Sequence, residues 1–69
     1  MSPAETRIVQ ALAVRPMTVN ELANTVYVEP GHLRHLLRRL SDARIVQIGA
    51  HAPRSQVRGA TPRYWERVA

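Results

Sequence analysis

Cysteine and lysine are both missing from this chain of 69 residues, and no apolar run in it approaches the length of a membrane span. Without cysteine there is no disulfide, no thiolate zinc site and no cysteine nucleophile, so packing and local signals must supply the stability, and a reducing compartment is expected. A bilayer span needs roughly 20 apolar residues in succession. The opening stretch MSPAETRIVQ also lacks the basic-then-apolar order of a secretory leader, so a soluble protein of the cytoplasm is expected. Catalytic constellations are absent as well: there are no paired carboxylates suited to a cleft, no Gly-rich phosphate loop and no nucleophile beside a base. The expectation is a protein without enzymatic activity and without a cofactor. His32 and His35, three apart, could form half of a metal site with His51, but with no Cys and few nearby carboxylates no metal is expected there.

Every cation is an arginine, and the net charge of +5 is unevenly distributed. Up to Pro30, Arg7 and Arg15 stand against Glu5, Glu21 and Glu29; from Gly31 onward eight arginines face only Asp42 and Glu66. The positive field therefore belongs to the C-terminal half, which favours a polyanionic partner such as nucleic acid or an acidic membrane surface. A chain this short holds one small core, so a single domain over residues 1–69 is expected, with no room for a ligand-sensing domain and no small-molecule effector.

Local signals mark three helices. Ser2, Pro3 and Glu5 have the spacing of a capping box with proline at the first helical position, so a helix starts at Pro3. Ile8, Val9, Ala11 and Leu12 form its apolar stripe, and Arg15-Pro16 ends it because a residue before proline leaves the α region. Thr18 and Glu21 repeat the box, flanked by Met17 and Leu22 at hydrophobic-staple positions, and predict a second helix from about Val19 to about Val26. Two turns do not persist without tertiary packing. Pro30 opens a third helix, in which Leu33, Leu36, Leu37 and Leu40 make a narrow apolar seam. The pattern then changes. Ile45, Val46 and Ile48 favour extended backbone, Gly49, Pro53, Gly59 and Pro62 punctuate a basic connection, and residues 63–68 read as a second strand on which Trp65 is expected to cover the core. The expected fold is α+β and mostly α: a three-helix core followed by a two-stranded hairpin.

Residues 18–23 (TVNELA), 28–40 (VEPGHLRHLLRRL) and 43–46 (ARIV) resemble the winged helix-turn-helix domains of bacterial regulators such as the MarR-like and ArsR-like families, a likeness running from about Ile8 to Trp65. The resemblance implies double-stranded DNA as the partner and a small transcriptional regulator, associated with the nucleoid, as the function. Two positions depart from the family pattern: Tyr27 stands where the inter-helix turn often has Gly, and Arg44 where the third helix is often closed by Gly. A non-Gly residue at positive φ costs about 1 kcal/mol, so each turn is expected to be mildly strained or differently shaped. Glu29 replaces the usual Ser or Thr cap, though its charge suits a helix N-terminus.

A major groove admits one helix, read by side chains on the face away from the core. Opposite the leucine seam lie Gly31, His35, Arg38 and Asp42, flanked by Arg34 on one side and by His32 and Arg39 on the other. Arg34, His35 and Arg38 are candidates for base edges, and Gly31 would let the helix start approach the duplex. Arg54, Ser55, Gln56 and Arg58 resemble a wing that tracks phosphate or enters the minor groove. Thr18 can offer its hydroxyl and neighbouring amides to a phosphate. Other readings of the same face are a protein-interaction module that docks an acidic partner and an architectural or recombination accessory factor of a mobile element. A monomer or weak homodimer is expected.

Overall fold

The computed structural model describes residues 1–51, except the side chain of His51, and residues 62–68. Its elements follow the predicted order: α1 (Pro3–Val14), α2 (Val19–Val26), α3 (Pro30–Asp42), β1 (Val46–His51) and β2 (Arg63–Arg67). Both capping boxes are formed. The Glu5 amide donates to the Ser2 hydroxyl at 3.2 Å while the Ser2 amide donates to the Glu5 carboxylate at 3.0 Å. At α2 the same reciprocal pair joins Thr18 and Glu21, again at 3.2 and 3.0 Å. Each box satisfies two amides that a helix start otherwise leaves unpaired.

One core holds the elements together. Ile8 and Leu12 of α1, Met17 before α2, Leu22 and Val26 of α2, all four leucines of α3 and Val46 of β1 are buried in a single cluster, with Trp65 packed against it. Met17 and Leu22, the expected staple, are both members. Leu33 and Leu37 are completely excluded from solvent, so α3 is fixed in rotation and its remaining faces are turned away from the protein. Among the described residues no helix is long and apolar enough to cross a membrane.

The two strands pair antiparallel, with Val46 opposite Arg67, Gln47 opposite Glu66 and Ile48 opposite Trp65; a register shift between Ile48 and His51 then brings His51 opposite Arg63. A further bridge was not anticipated. Met17 donates its amide to the Trp65 carbonyl at 3.0 Å and accepts the Trp65 amide at 2.7 Å. Met17 thus adds a one-residue third strand, and it ties the connection before α2 to the hairpin.

The two expected glycine positions adopt the left-handed conformation without glycine: φ is 57° at Tyr27 and 62° at Arg44. Arg44 closes α3 through paired bonds, its own amide reaching the Ser41 carbonyl and the Ile45 amide reaching Leu40, both at 2.9 Å. This is the Schellman arrangement, and a cation there suits the negative end of the helix. Tyr27 ends α2 with one bond from its amide to the Ala23 carbonyl at 2.9 Å.

Candidate nucleic-acid interface

Because the leucine seam of α3 is buried, Gly31, His32, Arg34, His35, Arg38, Arg39 and Asp42 are all exposed. The ion pair found among the described residues lies elsewhere, between Arg15 and Glu21 at 3.5 Å on the surface. Among the described residues Arg34, Arg38 and Arg39 therefore form no direct ion pair, with Asp42 or with any other carboxylate, although Glu5 feels Arg39 and Glu29 feels Arg34 at longer range. His32 and His35 stay on the surface; among the described residues no three His, Cys, Asp or Glu side chains gather as metal ligands would.

A shallow groove runs between the start of α2, the face of α3 and the hairpin. Thr18 and Asn20 from α2, Arg34 from α3 and Arg63 from β2 line it together with Ile48 and Trp65. A second hollow shares Arg34, Ile48 and Trp65 and extends along α3 past Arg38 to Asp42. The Arg63 guanidinium donates to the Gly49 carbonyl at 2.8 Å, which holds its charge at the hairpin edge. Neither Asn20 nor Arg63 stood out in the sequence. Asn20 has the ordinary look of a second helical residue, and Arg63 reaches the groove only through a strand register that spacing does not reveal.

The two helix starts that face outward differ in what their amides can do. At α3 the Glu29 carboxylate accepts from the Gly31 and His32 amides at 3.0 and 3.2 Å. Those bonds, the one to Gly31 first, hold the Glu29 carboxyl below the ordinary glutamate range, so the α3 start already has its anion. A Cβ on residue 31 would lie 3.1 and 3.3 Å from the two Glu29 oxygens, so glycine makes room for this carboxylate. Gly31 itself stays exposed, with the Glu29 carboxylate beside it.

At α2 the box uses the amides of Thr18 and Glu21, and it leaves those of Val19 and Asn20 without partners among the described residues. The Glu21 carboxyl is likewise held below its ordinary range, chiefly by the Thr18 amide. A hydroxyl has two acceptor sites and one donor. Thr18 spends one acceptor site on the Glu21 amide, and its hydroxyl also helps to hold the Glu21 carboxylate charged. Thr18, Val19 and Asn20, the last two with open amides, line one groove together with Arg34 and Arg63, and open helix-start amides beside guanidinium groups are suited to a phosphate. Arg54, Ser55, Gln56 and Arg58 lie outside the described residues.

Residues 2–47, from the α1 cap into β1, match the family model described as bacterial regulatory protein, arsR family. A search among curated proteins gives no match.

Proposed function

The chain belongs to the ArsR family of bacterial regulatory proteins, whose helix-turn-helix domain makes it a DNA-binding transcriptional regulator, and we propose that it reads double-stranded DNA by laying α3 in the major groove. Arg34, His35 and Arg38 face base edges in this reading. Arginine can pair with both guanine acceptors, and histidine can donate or accept one bond. His32 and Arg39 flank them along the groove walls. Thr18, with the open amides of Val19 and Asn20, takes a backbone phosphate beside Arg63, and Arg54, Ser55, Gln56 and Arg58 of the inter-strand segment make the outer contacts. The observation that carries the reading is the unpaired arginine face of α3, held outward by four buried leucines.

Selection of bound sites from a random duplex pool, followed by titration of Arg38→Ala on the selected site, tests it. Losing a bidentate base contact should relax preference at one base pair at a cost of about 1–3 kcal/mol. Affinity should also fall with salt, with a log–log slope of about −0.9 per phosphate neutralised. If no site is enriched and Arg38→Ala binds like the parent chain, the reading is wrong.

A further inference from the structure

Among the described residues Tyr27 combines a left-handed backbone with an almost fully exposed side chain. The turn between α2 and α3 requires the left-handed conformation, and glycine adopts it without penalty. Tyrosine is disfavoured there by the crowding of its Cβ. Strain of this kind is ordinarily offset by packing, yet at 91% exposure the Tyr27 ring covers almost nothing. Arg44 makes a useful comparison: it has the same backbone conformation, but its charge suits the end of α3. No such account exists for an aromatic ring at Tyr27, and residues held in sparsely populated conformations cluster where ligands are clamped.

We propose that the Tyr27 hydroxyl donates a hydrogen bond to a DNA backbone phosphate at the rim of the groove that α3 enters. The inference rests on the DNA reading given above. In helix-turn-helix docking the first helix of the pair crosses the backbone and the start of the second meets the bases. The turn between them therefore passes the phosphates, and Tyr27 stands in that turn, three residues before Pro30. The start of α3 cannot easily take this phosphate itself, because its amides already hold Glu29. A phenol hydroxyl can donate a hydrogen bond, and tyrosine is among the residues that contact phosphate oxygens.

The test compares the parent chain with Tyr27→Phe and Tyr27→Gly for binding to a selected duplex and to unrelated duplexes, over a range of salt, with thermal unfolding measured alongside. Both variants should lose about threefold to tenfold in affinity, equally on every sequence. The salt slope should be unchanged, since an uncharged donor releases no counterion. The unfolding midpoint should be unchanged in Tyr27→Phe and unchanged or raised in Tyr27→Gly. A Phe variant that binds like the parent, or a loss confined to particular sequences, overturns the phosphate bond while leaving the DNA reading intact. Absence of duplex binding by the parent chain overturns both.

Discussion

Thr18→Ala removes the structural duty of one hydroxyl together with the binding duty that the DNA reading gives it. In the folded protein that oxygen accepts the Glu21 amide at 3.2 Å, while the Glu21 carboxylate returns a bond to the Thr18 amide. Alanine keeps the second bond and removes the first, which at helix N-caps costs about 1 kcal/mol, within a range of roughly 0.5–2. The loss cannot be confined to a frayed end. α2 has eight residues, and two of them, Leu22 and Val26, belong to the only core among the described residues, so loosening its first turn weakens the whole domain. A domain of this size is stable by roughly 3–10 kcal/mol, and the unfolding midpoint should drop by about 4–8 °C. Circular dichroism melting at neutral pH measures this. Serine keeps the oxygen and caps at least as well as threonine, so Thr18→Ser should melt within about 2 °C of the parent chain. It should also retain DNA affinity, whereas Thr18→Ala should lose the phosphate donor as well as the cap. An alanine variant that melts like the parent chain, or a serine variant as weak as the alanine one, would show that this bond does not govern the start of α2.

Further outcomes follow from the same geometry. Glu5, Glu21 and Glu29 all bind their protons less readily in the folded chain, each first of all because a backbone amide donates to the carboxylate. The unfolded chain therefore takes up more protons in acid, and stability should be full above the ordinary glutamate value of 4.5 and decline as pH falls below it; urea midpoints at pH 7, 5 and 3.5 check this, and Glu21→Gln should flatten the decline. Leu37→Ala empties a fully buried position on α3 and should cost about 2–5 kcal/mol, enough to leave much of the chain unfolded at 37 °C by circular dichroism. Gly49→Ala places a Cβ against the Glu66 carboxylate, the flexible end of a side chain that also accepts a bond from the Gln47 side-chain Nε2 at 2.8 Å. It should displace that carboxylate at a cost below about 1 kcal/mol, visible as a midpoint loss that Gly49→Ala shares with Glu66→Ala and does not add to.

What the sequence made legible was local. Ser2 with Glu5, Thr18 with Glu21, and the four leucines of α3 act across three or four residues, a range in which spacing determines geometry, so the helix starts and the buried side of α3 could be read directly. The exposure of Arg34, Arg38 and Arg39 followed from the leucines and was legible for the same reason. Pairing between distant segments left no such trace. The Met17–Trp65 bridge joins residues from opposite ends of the chain, and the register that carries Arg63 to the groove depends on an irregularity between Ile48 and His51. Glu29 is an intermediate case. Its charge suited the α3 start, but its hold on two amides, and hence the crowding that a Cβ at residue 31 would meet, became visible only with the carboxylate in place.

The Met17–Trp65 bridge also bears on how the domain would grip a duplex. Met17 immediately precedes Thr18, so the strand pairing that anchors the hairpin lies one peptide away from the open amides of α2. In the proposed DNA reading, the start of α2 and strand β2 are therefore tied to each other by two backbone hydrogen bonds before any duplex arrives. If both contact phosphates as proposed, that tie leaves less freedom to be lost on binding, so more of the contact energy should be expressed as affinity. A lesion at that tie should loosen the grip of both together.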